Sequence, residues 1–319
     1  MNQNHKISIV APFFNEALAV SSFYAAMKDL FDGLPQYEFE LVCVDDGSVD
    51  ETLIQLTSLA QKDPRIQIIE FSRNFGKEAA LSAGIDYSLG DAVIPIDVDL
   101  QDPPALIIQM IALWEEGAEV VLAKRIDRSS DTQLKRITAA LFYRFHNLLS
   151  SEVQIPENVG DFRLMDRVVV DALKRLPERR RFMKGLFAWV GFKTVSIDYV
   201  RAPRELGESK FSGWKLWNFA LEGITSFSLI PLKVWTYLGI LGAIFAFCYA
   251  VFVIIKTLIF GIDLPGYASL LVVTLFFGSL QLISLGIIGE YIGRIYFESK
   301  GRPLYIVRNH IRTKKSSTE

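Results

Sequence analysis

Three acidic clusters in the first hundred residues carry the residue types best able to do chemistry. They are Asn15 and Glu16 in the run that starts at Pro12 (PFFNE), Asp45, Asp46 and Asp50 in DDGSVD, and Asp97 and Asp99 with Gln101 in DVDLQ. Carboxylates that alternate at a strand end, with an amide oxygen two residues on, offer hard oxygen ligands of the kind Mg²⁺ and Mn²⁺ take. An ion so held would bridge a diphosphate and neutralise charge as it departs. Singly, Asp50 reads as a cap for the helix beginning at Glu51, and Asp45 or Asp46 as a turn former. Three clusters together favour a site. No GxGxxG or GxxxxGK[ST] loop follows any strand, which argues against a dinucleotide dehydrogenase or a P-loop phosphotransferase.

Such clusters must be brought together by the elements between them. The pattern predicts strands over Ile7–Ala11, Phe39–Val44, Ile66–Phe71 and Ala92–Ile96, alternating with helices over Ala17–Leu30, Glu51–Gln61 and Glu78–Tyr87. Apolar, β-branched strands alternating with helices imply an α/β domain with a parallel sheet covered on both faces. In such sheets ligands bind at the carboxyl ends of the strands, where each acidic cluster falls.

The last third of the chain is different. Val234–Ile255 and Tyr267–Gly289 are uncharged and long enough to cross a hydrocarbon core of about 30 Å. The linker Lys256–Gly266 makes them a hairpin. Arg294, Lys300, Arg302, Arg308, Arg312, Lys314 and Lys315 follow it, against Lys256 alone in the loop, so both termini are expected on the cytoplasmic side. Before the first span, Phe211, Trp214, Trp217, Leu221 and Ile224 recur at helical spacing, as in a helix lying in the membrane interface. The polar start lacks a charged lead and apolar core, so no signal peptide is expected. Self-association through the Gly-containing spans is expected, with the number of subunits unreadable.

A net charge of −2 gives no reason to expect nucleic-acid binding. Cys43 and Cys248 read as buried, reduced thiols, and His5, His146 and His310 as scattered residues without metal-ligand spacing.

The runs APFFNE (11–16), VDDGSVD (44–50), SRNFGKE (72–78), DVDLQDPP (97–104), GDFRLM (160–165) and RELGESKF (204–211), in this order and followed by two spans, resemble glycosyltransferase family 2. The likeness is to its polyprenyl-phosphate branch and covers nearly the whole chain. It implies a GT-A (Rossmann-like) catalytic domain over 1–210, interfacial amphipathic helices over 211–233, a two-helix transmembrane hairpin over 234–289 and a basic cytoplasmic tail over 290–319. It also implies that Pro12, Asn15, Glu16, Asp46 and Asp97 bind the nucleotide-sugar, and that Asp97, Asp99 and Gln101 hold Mn²⁺ or Mg²⁺. Arg125, Lys135, Arg163, Arg204, Ser209 and Lys210 are expected on the acceptor phosphate and the diphosphate.

The implied reaction is inverting transfer of a hexose, with UDP-glucose and undecaprenyl phosphate favoured by the resemblance. GDP-mannose, UDP-N-acetylglucosamine and a UDP-aminoarabinose derivative remain alternative donors. A phosphate monoester with a second pKa of about 6 is already largely ionised at neutral pH and needs little help from a base. Asp161, at the family's catalytic-base position, therefore keeps three open roles: accepting a residual proton, binding the sugar or orienting Arg163. A processive polysaccharide synthase would need more spans and a QxxRW signature, which this sequence lacks. A membrane scaffold that binds nucleotide-sugar without turnover is the non-enzymatic alternative.

Overall fold

The computed structural model describes residues 5–126, 156, 158–179, 181–200, 230–260 and 266–312. Lys135, Arg204, Ser209, Lys210 and the interfacial-helix residues Phe211–Ile224 lie outside them.

The chain opens with β1 (Lys6–Phe13), α1 (Ala17–Asp32), β2 (Glu38–Asp45), α2 (Thr52–Lys62), β3 (Ile66–Phe71), α3 (Lys77–Tyr87) and β4 (Ala92–Pro95). These match the expected strands and helices to within two residues at every end. There follow α4 (Leu106–Glu115), β5 (Val120–Arg125), β6 (Val159–Asp166), α5 (Arg167–Lys174), α6 (Met183–Trp189) and β7 (Thr194–Tyr199). Two long helices, α7 (Ile230–Phe260) and α8 (Tyr267–Ser299), precede a final strand, β8 (Val307–Arg312).

One eight-stranded sheet runs in the order β7-β5-β6-β4-β1-β2-β3-β8. Its centre, β4-β1-β2-β3, is parallel, as the alternating pattern requires. The sheet as a whole is mixed, because β6 runs antiparallel to β4 and β5 and β8 runs antiparallel to β3. Strand order reverses beside β1, so a crevice opens at the carboxyl ends of β1 and β4.

Alternating side chains of the central strands feed two cores. Ile7, Ile9 and Leu41 pack with Phe23 and Met27 of α1 and with Ile107 and Met110 of α4. Val10, Val42 and Val44 face the other way, onto Ala79, Ala80 and Ala83 of α3 and Leu186 of α6. The small residues of α3 let it lie close on β1. A Cβ added to Gly84 would stand 2.1 Å from Cγ1 of Val10.

The part read as a plain tail holds two features that hydropathy does not reveal. α8 runs on past Gly289 to Ser299, and β8 then completes the sheet beside β3. Its strand pattern is short and charged, which suits an edge strand but gives little periodic signal. Likewise Lys256, read as loop, lies within α7. Tyr237–Phe260 and Val272–Ser299 are long and apolar enough to cross a membrane, and neither is buried against the rest of the protein. Cys43 is buried in β2, where burial pushes its thiol up, whereas Cys248 on α7 is exposed, contrary to the expected burial.

Candidate active site

The first two acidic clusters lock into each other. Asn15, whose φ is +53°, receives the Val49 N–H on Oδ1 at 2.9 Å, and its own N–H goes to Ser48 Oγ at 3.0 Å. Glu16 N–H is held by Thr52 Oγ1. Asp50 was expected to cap α2; the N-cap position is instead Glu51, and Asp50 accepts the N–H of Thr52, the first helical residue, at 3.0 Å and that of Ala17 at the start of α1. The loops after β1 and β2 thus form one rigid wall, with Pro12 at the end of β1 beside Val44.

Asp46 is turned to the neighbouring loop. Its carboxylate oxygens accept the N–H groups of Phe75 at 2.6 Å and Gly76 at 2.9 Å. Burial raises its pKa, and these two donors oppose the rise. The loop 72–77 is therefore fixed by a buried carboxylate. It passes so near Gly47 (φ +70°) that a Cβ there would lie 2.5 Å from the carbonyl carbon of Arg73. Asp45 accepts from Ser48 N–H on one oxygen, while its other is buried without a hydrogen-bond partner among the described residues.

The third cluster meets Asp161 through the sheet. β6 returns antiparallel to β4 with Ala92 opposite Asp166 and Val93 opposite Met165. Asp161 lies within β6, and Asp97 follows the end of β4 at Pro95. Between them stands a residue the sequence reading did not assign. Lys77 Nζ lies 2.6 Å from Asp97 Oδ1, 2.9 Å from Asp97 Oδ2 and 3.1 Å from Asp161 Oδ2. Crowding by neighbouring groups works to lower the Lys77 pKa, but the two carboxylates outweigh it and hold it above the ordinary value. For Asp161, burial pushes upward and Lys77, with Lys184 and Arg163, prevails, holding the carboxyl at about 2. A signal for Lys77 did exist. A cation in the first turn of a helix opposes the helix dipole and calls for carboxylate partners.

Two further groups border this pair. Arg163 is buried, donates to Gly160 O at 2.7 Å and sits over the Phe187 ring with Cζ 4.1 Å from its centroid. Arg125, at the end of β5, donates from Nε to Tyr199 Oη at 3.0 Å, and its Nη2 lies 3.7 Å from Asp102. Tyr199 in turn donates to the buried Asp102. Burial lowers the Arg125 pKa, but Asp102 and Tyr199 more than restore it. Neither Asp102 nor Tyr199 was picked out from sequence, because one reads as a helix-entry residue and the other as a strand aromatic.

The residues fit a divalent ion of a particular kind. Among the described residues no cluster of three or more His, Cys, Asp or Glu would hold an ion unaided. Mg²⁺ and comparable hard ions are usually bound by one or two carboxylates and complete their shell with water and substrate phosphates. Asp97 and Asp99, with Gln101 N–H fixed on Asp99 Oδ1 at 3.2 Å, form such a pair, and Asp97 is already arranged around a cation, the Lys77 ammonium.

The sequence profile of glycosyl transferase family 2 matches residues 8–174, from β1 to the end of α5. A bactoprenol glucosyl transferase of Shigella phage SfV is 56% identical over 304 residues, 95% of this chain and 98% of its own. A glycosyltransferase of Synechocystis described as uncharacterized is 54% identical over 302 residues, covering 95% and 94%. A prophage bactoprenol glucosyl transferase homolog of Escherichia coli K12 is 54% identical over 303 residues, covering 95% and 98%. The likeness spans the catalytic sheet, both long apolar helices and β8, so a membrane association accompanies the catalytic domain. The mixed sheet is of the GT-A kind, and the chain belongs to glycosyl transferase family 2.

Proposed function

We propose that this glycosyltransferase moves glucose from UDP-glucose onto undecaprenyl phosphate at the cytoplasmic leaflet, giving a lipid-linked sugar. The observation that carries the reading is likeness at 54–56% identity, over almost the full length, to proteins named as bactoprenol glucosyl transferases. The architecture supports a lipid acceptor. A polyprenyl chain leaves the bilayer at a cost of about 0.8 kcal/mol per exposed methylene, so the catalytic site has to come to the membrane surface.

The sheet also bears on topology. β8 follows α8 and pairs with β3, which supports a reading in which the catalytic sheet and the segment after the hairpin lie on one side of the membrane. Basic residues after the second span, among them Arg294, Lys300, Arg302, Arg308 and Arg312, support the cytoplasmic side.

In this reading Pro12, Asn15 and Glu16 form the nucleoside wall, and Asp46 shapes it by holding the 72–77 loop. Asp97, Asp99 and Gln101 hold Mn²⁺ or Mg²⁺, which when bound neutralises the diphosphate as it leaves. Arg125 and Arg163, with Lys135, Arg204, Ser209 and Lys210, bind the acceptor phosphate and the diphosphate. The acceptor phosphate oxygen, already ionised, attacks the anomeric carbon from the face opposite the leaving group. Lys77, Lys184 and Arg163 hold the Asp161 carboxyl below its ordinary value, and with Lys77 Nζ 3.1 Å from its Oδ2 this favours Asp161 as an anchor for cations over a base.

The test is transfer of radiolabel from UDP-glucose, GDP-mannose or UDP-N-acetylglucosamine to undecaprenyl phosphate with Mn²⁺ or Mg²⁺, comparing the native protein with Asp99→Ala. Organic-phase label from UDP-glucose that requires both metal and Asp99 is the expected result. Label from another donor alone would replace the sugar. Nucleotide-sugar binding without label from any donor would favour the non-catalytic scaffold.

A further inference from the structure

Lys77 stands where an ion bound by Asp97 would have to sit. Its ammonium straddles both Asp97 oxygens at 2.6 and 2.9 Å, and its third neighbour is Asp161 Oδ2 at 3.1 Å. An ammonium and a divalent cation cannot share the two oxygens of one carboxylate without strong like-charge repulsion in a partly desolvated site.

The geometry also offers the ammonium somewhere to go. Asp161 Oδ2 already lies 3.1 Å from it, and Asp161 Oδ1 is buried without a hydrogen-bond partner among the described residues. The Lys77 backbone is pinned, since Asp46 grips the N–H groups of Phe75 and Gly76 just before it. Its side chain is free enough to pivot, being 46% exposed.

We propose that Lys77 is a resident counter-cation that yields Asp97 to the incoming divalent metal and re-pairs with Asp161. This rests on the reading of Asp97 and Asp99 as the metal pair. The exchange keeps both Asp97 and Asp161 paired with a cation before and after metal entry. It also leaves a cation beside the metal, on the side where Asp161 and Arg163 lie. Lys77 is then a positioning residue whose work is divided between two carboxylates, one just past β4 and one within β6.

The experiment is titration of the detergent-solubilised, full-length protein with Mn²⁺ alone, following the free-ion EPR signal, without donor, acceptor or turnover. Lys77→Met should bind Mn²⁺ at least fivefold more tightly than the native protein, because no ammonium has to be displaced. Asp161→Asn should weaken binding severalfold in the native background, because the ammonium loses its second seat. The same change should cost less than half as much, as a fold-change, in the Lys77→Met background.

Simple through-space attraction predicts the opposite coupling, since an Asp161 unscreened by Lys77 would matter more. Equal or weaker binding by Lys77→Met overturns the proposal, as does an undiminished Asp161→Asn effect in that background. Should Lys77→Met fail to fold by its melting curve, Lys77→Arg carries the test. A guanidinium fork grips a carboxylate harder, so Mn²⁺ binding should weaken, and tighter binding overturns the exchange. Native-like Mn²⁺ binding by Asp99→Ala would sink the underlying metal assignment, and the exchange with it.

Discussion

Oε2 of Glu78 lies 3.0 Å from the backbone nitrogen of Met183 and accepts its N–H, tying the first turn of α3 to the first turn of α6. That N–H is one of the donors a helix start leaves without an internal partner. Burial, and then the nearby Asp161 carboxylate, push the Glu78 carboxyl up to about 7. Between its ordinary value and that one, the folded protein keeps a proton that the unfolded chain has released. Stability therefore falls as the pH rises through this window, by on the order of 2–3 kcal/mol. Glu78→Gln keeps the neutral shape at every pH and should remove the slope. From pH 5 to 7.5 the melting temperature of the native protein should drop by about 5 °C or more relative to the variant. Parallel curves would rule out a proton on Glu78.

Gly47 is the point where the 45–50 turn meets the 72–77 loop. Its φ of +70° and the 2.5 Å approach of a would-be Cβ to Arg73 leave no room for a side chain without backbone movement. Gly47→Ala should destabilise the protein by about 2 kcal/mol or more. It should also weaken UDP binding at least tenfold, because displacing the 72–77 loop breaks the grip of Asp46 on Phe75 and Gly76. Calorimetric titration with UDP and a melting curve measure the two effects separately.

β8 and the segment before it fasten α8 to the catalytic sheet. Tyr305 donates to Asp86 at 2.7 Å and stacks on Phe71 with ring centroids 5.1 Å apart. Asn309 donates to Glu70, and Ser72 N–H goes to Ile306 O at 3.0 Å, directly beside the loop that presents Lys77. Tyr305→Phe should cost about 1 kcal/mol through the lost hydrogen bond, and Tyr305→Ala about 3–5 kcal/mol through the lost ring as well. Transfer activity should fall further in the alanine variant than in the phenylalanine variant, in step with melting temperature. Full activity in a strongly destabilised Tyr305→Ala protein would separate this strap from the site.

Much of this organisation is legible in the sequence because period and composition carry it. The strands β1 to β4 are apolar and β-branched, α1 and α2 between them are amphipathic, and acidic clusters follow β1, β2 and β4. What periodicity could not supply is pairing at a distance. The mixed character of the sheet comes from β6 and β8, which are set by register with strands far away in the chain, and β8 carries four charged or polar residues in VRNHIR. The same holds for the site. Asp97 and Asp161 were both picked out, yet their nearness depends on β6 pairing with β4 from far along the chain, and Lys77 becomes meaningful only when both carboxylates are seen around it. Asp46 was expected at the nucleoside, and its hold on the Phe75 and Gly76 N–H groups belongs to a loop geometry no motif spells out.

The Arg125, Tyr199 and Asp102 group makes the sharpest prediction about the acceptor side. Tyr199 bridges a buried carboxylate and a guanidinium, donating to Asp102 and accepting from Arg125 Nε. Burial, and then Asp102, push its hydroxyl up to about 12, so it stays protonated throughout the working pH range and always keeps a proton for Asp102. Tyr199→Phe removes the bridge while keeping the ring in its buried place. Asp102 then loses a donor, and Arg125 is drawn fully onto Asp102, which lies 3.7 Å from its Nη2. An Arg125 held there is less available to an acceptor phosphate. The KM for undecaprenyl phosphate should rise about five- to tenfold with kcat within about twofold, since an interaction shared by ground and transition states has been lost. UDP affinity, measured separately by calorimetry, should be unchanged, because the loops at Asn15 and Asp46 proposed to hold the nucleoside are not touched. A fall in kcat at constant KM would instead place Arg125 on the leaving diphosphate.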